Sequence, residues 1–266
     1  MRFKSIAAVT IAASLVVVAS IIPVRTEAQS IAQRVRSAGD GRVRFTFAPK
    51  PDICGYGGSI SRNGGSNRWG SSSNDSPDVE YGNECGSSPV RVILYVDNGG
   101  VTKVRTYVGG RWRPGTDITD LGHVSTRDAT AYLLDLAANG PTASVSRDAI
   151  MPATLADSVT IWPALTRIAR DESRPNSTRK QALFWLSTEA GDHIAGRDKG
   201  IKDPDSEIKK QAVFALSQRM NGESVPALMQ VARNNRDPEV RRSALFWLGQ
   251  TSDPRVVSFF EEILSR

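Results

Sequence analysis

The sequence predicts an α+β protein in which a small β-rich, disulfide-bridged module precedes an α-solenoid of helix pairs. Three observations point there. Residues 42–47 alternate polar and apolar side chains, with Val43, Phe45 and Phe47 on one face, the period-two mark of a half-buried strand. Two further strand-like runs, 90–96 and 101–107, flank Asp97-Asn98-Gly99-Gly100, and Asn-Gly tolerates the positive φ of a tight hairpin. Beyond Val124 strand signals stop, and a helical pattern repeats at intervals near 30 residues, which predicts stacked helix pairs that bury their apolar faces only against neighbours.

The elements follow in order. Residues 1–4 carry Arg2 and Lys4, residues 6–22 are almost wholly apolar, and Thr26 and Ala28 occupy the minus-three and minus-one places of a cleavage site. This is the layout of a secretory signal, with cleavage expected after Ala28. An uncleaved anchor competes with it, although 17 apolar residues lie at the lower limit for spanning a bilayer. Membrane contact is therefore expected only through this transient segment, and the mature chain is expected to be periplasmic or extracellular. The 266 residues carry a formal net charge of +6, and removing Arg2, Lys4, Arg25 and Glu27 lowers it to +4. So small an excess argues against nucleic acid as a partner.

The β-rich module is expected over residues 29–120. A short helix at 30–37 precedes the first strand. From Gly57 to Ser76, fifteen of twenty residues are Gly, Ser or Asn, a composition that buries too little apolar surface to order itself. Residues 57–78 are therefore expected to form a flexible insertion; Trp69, Arg62 and Arg68 are its possible recognition contacts. In an oxidising compartment the lone pair Cys54 and Cys85 reads as one disulfide closing this loop, which the chain-entropy model values at about 3 to 4 kcal/mol.

The solenoid is expected over residues 121–266. Its entry at Ser125-Thr126-Arg127-Asp128 has the character of a capping box. Segments 178–186, 208–216 and 240–248 align without gaps at spacings of 30 and 32 residues, and 163–170 matches 226–233. Asp237, Pro238, Val240, Arg241, Ala244, Leu245, Leu248 and Gly249 resemble the first helix of HEAT repeats, particularly the short kind named after phycobilisome bilin lyases. A weaker copy begins at Asp205, and a third, spanning 175–186, lacks the leading Asp. The resemblance covers roughly residues 125–266 and implies a protein-binding scaffold. Residues 187–202 depart from the pattern, where Asp192, His193 and Gly196 are expected to replace a full second helix with something shorter.

On a 3.6-residue wheel Val240, Ala244, Leu245, Trp247 and Leu248 share one arc, and Phe246 falls opposite. Phe184, Phe214 and Phe246 hold that outward position in three repeats, each one turn after Lys180, Lys210 or Arg242. Stacking the repeats predicts a Phe ladder beside a basic ladder. It is expected to dock a partner protein or peptide, or the β-rich module of the same chain; the competing arrangement tucks the rings against a neighbouring helix.

Catalytic patterns are weaker. Ser177 with Lys180 and Ser206 with Lys209 match S-x-x-K, without the S-D-N and K-T-G companions, and stand where helices begin. His193 beside Asp192 lacks a nucleophile elbow, and His123 reads as a hinge or capping residue. Asp203, Asp205 and Glu207 suggest a hard cation, yet lack the spacing of a calcium loop. Two histidines and two cysteines leave little for imidazole or thiolate metal sites. No catalytic residue, metal or cofactor is expected. The function expected is that of an exported, non-catalytic scaffold in the cell envelope; the alternative is an enzyme of the bilin-lyase type or an envelope hydrolase.

Overall fold

The computed structural model of the chain describes residues 29–56, 59–62, 68–70, 76–82, 85–197, 206–218 and 224–266. The export segment expected at residues 1–28 lies outside them. In chain order the elements are α1 (Ile31–Ser37), β1 (Gly41–Phe47), β2 (Ile53–Tyr56), β3 (Ser59–Arg62), β4 (Arg68–Gly70), β5 (Val79–Glu80), β6 (Val90–Asp97), β7 (Gly100–Val108), β8 (Arg111–Trp112) and β9 (Ile118–His123). Helices follow: α2 (Thr126–Asn139), α3 (Ala143–Asp148), α4 (Ile150–Thr154), α5 (Trp162–Arg170), α6 (Asn176–Arg197), α7 (Ser206–Ser217), α8 (Ser224–Asn234), α9 (Pro238–Gly249) and α10 (Pro254–Ser265).

Helix α1 starts at a reciprocal cap: the Ser30 hydroxyl accepts from the Gln33 amide, and the Gln33 side chain accepts from the Ser30 amide. Strand β1 alternates as its sequence requires, burying Val43, Phe45 and Phe47. It sits inside a sheet of order β7-β6-β1-β9, antiparallel to β6 and parallel to β9. The hairpin from β6 to β7 turns at Asn98 and Gly99, whose φ values of 50° and 72° are those a two-residue I′ turn demands. Strand β9 continues to His123, past the boundary expected at residue 120.

The insertion expected to be structureless is not uniformly so. Its described parts contain β3 and β4, which extend β2 into a three-stranded sheet. Ile60, the one aliphatic residue of the run, is buried and anchors it, and the Cys54–Cys85 disulfide, with Cα atoms 5.4 Å apart, ties the run back to the chain. A composition count misses this because one anchored side chain and a cross-link suffice to fix short backbone pairing.

The outer face of the main sheet is covered by the β5–β8 ribbon. Val79, Ile93 and Tyr107 form a small apolar cluster there, with Tyr81, Tyr95 and Trp112 against it. The guanidiniums of Arg44 and Arg91 lie 5.0 and 5.1 Å from the Trp112 ring centroid. Beside them the Asp78 carboxylate, 1% exposed, accepts from the hydroxyls of Tyr107 (2.9 Å) and Tyr95 (3.2 Å) and faces Arg42 at 3.4 Å and Arg105 at 3.8 Å. A buried carboxylate is tolerable only with such a complement of donors and charges.

The inner face joins the helices. Phe45 meets the Tyr132 ring of α2 edge-on at 6.4 Å, Pro49 bridges to Ala156, and Lys50 Nζ lies 2.8 Å from Glu189 Oε1 of α6. One contiguous set of buried side chains runs from Ile31 to Phe260. The β-rich part and the helices thus share a core, whereas the sequence suggests two separate modules.

Two expectations about the helices are corrected. Residues 187–197 do not break into a shorter element: α6 is continuous over 22 residues, because Ala190 and Gly191 are buried and pack its C-terminal half on α9. The repeats also do not stack in simple sequence order. Helix α9 lies against α6 on one side and against α7 and α8 on the other, α10 rests on α5 and α6, and α6 and α7 make no comparable contact among the described residues. Small residues at the α6–α9 crossing explain the preference: a Cβ added to Gly249 would fall 2.5 Å from Ser187 Cβ, so the helices approach closely only because it is glycine. An Arg170–Glu261 pair at 2.6 Å links α5 to α10.

Candidate functional site

Helix α9 begins where Asp237 Oδ1 accepts from the Glu239 amide at 2.9 Å and Pro238 occupies the first turn; Asp253 and Pro254 start α10 in the same way. These caps set the rotation of each helix. On α9 they bury Val240, Ala244, Leu245 and Leu248 and turn Phe246 outward. Phe246 is 42% exposed and Phe214 on α7 is 47% exposed, the two large apolar side chains that stand out to solvent among the described residues.

Phe184 departs from the expected equivalence. It is half-buried against the core, with the Trp185 ring edge-on at 5.2 Å and Phe246 edge-on at 6.3 Å. The cause is the helix order: α9 occupies the side of α6 that a sequential stack leaves to α7. Trp247, which the wheel assigns to the buried arc, is only partly covered and touches both Phe246 at 5.1 Å and Phe214 at 5.0 Å. The predicted ladder is therefore a continuous aromatic row of four rings, in the order Phe184, Phe246, Trp247, Phe214. The sequence misses Trp247 as a surface residue because its neighbours across the crossing cannot be read from its own helix.

Basic residues hold the positions one turn before each Phe. Lys180 is exposed and Lys210 half-exposed, and Arg242 Nη1 lies 3.1 Å from Glu239 Oε1 in a pair that is 43% and 45% exposed. The positions one turn after are uncharged. Ser187 and Ser217 donate back to the Phe184 and Phe214 carbonyls, each at 2.6 Å, and Gly249 fills the third place. These bases do not form the ladder that a parallel stack predicts: a Cβ on Gly249 would fall 2.5 Å from Ser187 Cβ and one on Gly191 3.2 Å from Arg242 Cγ, so α6 and α9 run antiparallel and Lys180 and Arg242 lie on opposite sides of the row.

Among the described residues the β-rich part does not occupy the row; its apolar face is spent on α2 and the shared core. Other sequence candidates are dispersed. Ser177 is exposed at the start of α6, His193 lies far along the same helix, and His123 Nδ1 is 3.3 Å from Thr46 Oγ1 at the end of β9. Asp203 and Asp205 and the side chains of Arg62, Arg68, Trp69, Ser206 and Glu207 lie outside the described residues. No described helix is long and apolar enough to cross a membrane.

Fold and row together define a protein of capped helix pairs fused to a β-sheet, with an aromatic strip on the helical part. Residues 198–266, which include α7 to α10, match the family model described as HEAT repeats, and HEAT repeats commonly mediate protein–protein interaction. No curated protein and no solved structure matches the chain.

Proposed function

We propose that the chain is an exported, non-catalytic scaffold of the cell envelope that binds a partner protein through the row of Phe184, Phe246, Trp247 and Phe214. The exposure of Phe214 and Phe246 on adjacent helices carries this reading. Fully burying a Phe side chain contributes about 1.5 to 3 kcal/mol, so two half-exposed rings leave unused a contribution that a partner would supply. The HEAT match over 198–266 supports the same reading, and the layout of residues 1–28 supports export. An enzymatic reading draws no support from the row, whose described side chains are rings, bases and hydroxyls folded onto their own helices.

The test is site-specific photocrosslinking in the native envelope from positions 214 and 246, with exposed Arg127 of α2 as the control position. The expected result is one species captured from both row positions and not from 127, and lost in the F214D/F246D double variant at unchanged melting temperature. Equal capture from all three positions, or retention in the double variant, refutes the proposal.

A further inference from the structure

The three repeat copies are not covered alike. Segments 178–186, 208–216 and 240–248 align position for position, so each residue of α7 has a counterpart on α6 and on α9. Ala182 and Ala244 are fully buried, yet their counterpart on α7, Ala212, is exposed. Trp185 is buried and Trp247 has the Phe214 ring against it at 5.0 Å, whereas Ala215, which holds the same place on α7, is exposed. Helix α7 packs on α8 and α9 and on no other described element to a comparable extent. It is the open end of this helical layer, and it turns to solvent positions that the other two copies bury.

The open face consists of Gln211, Ala212, Ala215 and Gln218, all exposed, which at 100° per residue fall within an arc of about 120°. Phe214 borders the arc on the side of the aromatic row. None of the four side chains carries a charge, although a solenoid end that stays in water is closed by a polar outer face.

The chain itself contains an example of how two copies of this helix meet. Positions 187 and 249 are equivalent in the alignment, and a Cβ on Gly249 would fall 2.5 Å from Ser187 Cβ; Phe184 and Phe246 are equivalent too, and their rings meet edge-on at 6.3 Å. Helices that run antiparallel and touch through like positions are related by a local two-fold axis. A two-fold contact sets each residue against the same patch of its partner, so any charge there would face its like. The α7 face has none among its four side chains, and each Gln amide, both donor and acceptor, can bond reciprocally with a second copy.

We infer that the occupant of this face is a second copy of the chain, packed with its α7 antiparallel to this one about a two-fold axis through Gln211, Ala212, Ala215 and Gln218. The dimer closes the open end of each helical layer. It uses a different side of α7 from the aromatic row and does not depend on what the row binds.

The experiment is sedimentation velocity on the full chain. The unaltered protein is expected to sediment with the mass of two chains. Ala215→Arg and Ala215→Glu, each at an exposed position, are expected to sediment as single chains with an unaltered circular dichroism spectrum, because each sets like charges face to face. Mixing the two variants is expected to restore the dimer, since opposite charges then meet at the same place. Phe246→Asp, which lies off this face, is expected to leave the dimer intact. A single-chain mass for the unaltered protein, a dimer that survives both charges, or a mixture that remains monomeric overturns the inference.

Discussion

The order of helices in space, α6 beside α9 and α9 beside α7, makes an unusual demand on one glycine. Gly249 ends α9 with ordinary negative φ, so nothing in its backbone requires glycine. Its requirement is the crossing: a Cβ would meet Ser187 Oγ at 2.3 Å, Ser187 Cβ at 2.5 Å and the Leu183 carbonyl at 3.4 Å. The Oγ can rotate away, but the Ser187 Cβ is fixed to the α6 backbone, so the two helices must separate. Overpacking of this kind costs about 1 to 3 kcal/mol. Against it stands the better helix propensity of Ala, worth up to about 1 kcal/mol in a helix interior and less at a terminus. Gly249→Ala is therefore expected to destabilise by about 1 to 2 kcal/mol, read as a lower urea midpoint at constant slope. In the Ser187→Gly background, which removes the opposing Cβ, the same substitution should become neutral or stabilising, a coupling of at least about 1 kcal/mol in the double-mutant cycle. The sign is decisive. In a sequential stack Gly249 would not meet Ser187, and Ala would stabilise in both backgrounds; that result would refute the helix order.

Two further outcomes follow from the two covered faces of the sheet. Asp78→Ala should destabilise by about 3 to 5 kcal/mol, since it strands the buried hydroxyls of Tyr95 and Tyr107 and the partly buried Arg42 and Arg105, while Asp78→Asn should cost less; an urea midpoint unmoved by the Ala change would contradict the cluster. Burial raises the phenols of Tyr81, Tyr95, Tyr107 and Tyr132, with Tyr132 pushed up to about 12, so the native state keeps protons that the unfolded chain releases near pH 10. The phenols' contribution to folding stability should then be constant below about pH 10 and be lost as pH rises beyond it, and absorbance at 295 nm should show four of the five tyrosines ionising late in the native protein. Ionisation of all five together at the ordinary value would contradict the packing.

What could be read from the sequence is what each segment settles by itself. The alternation at Val43, Phe45 and Phe47, the Asn98-Gly99 turn, the caps at Ser125 and Asp237, the Cys54–Cys85 pairing and the outward rotation of Phe246 all depend on neighbours a few residues away or on a single pair of thiols. The row's membership depends on more distant partners. Trp247 and Phe246 have fixed directions on α9, but whether either is covered is decided by which helix lies alongside, and near-identical repeats give α9 the choice of α6 or α7. Small residues at 187, 191 and 249 decide it, and small residues carry little pattern. Asp78 is hidden for a related reason: in a run of Ser, Asn and Gly it looks like a solvated loop residue, and its need for donors becomes visible only when Tyr95, Tyr107, Arg42 and Arg105 assemble on one sheet face. The shared core is equally nonlocal, since Phe45 finds Tyr132 across 87 positions of chain.

Strand β1 takes its two neighbours from far downstream, β6 beginning at Val90 and β9 at Ile118. A polypeptide that emerges from its N-terminus forward therefore holds an aromatic, strongly β-forming heptad with both edges open until some fifty residues more have appeared, and its second edge open for longer still. Arg42 and Arg44, interleaved with Val43, Phe45 and Phe47, place two like charges on that waiting strand and so repel another nascent copy that would pair with it. Later the same two guanidiniums settle beside Asp78 and Asp120 in the finished sheet. Their positive charge guards the strand before the fold exists and is neutralised by the fold once it does.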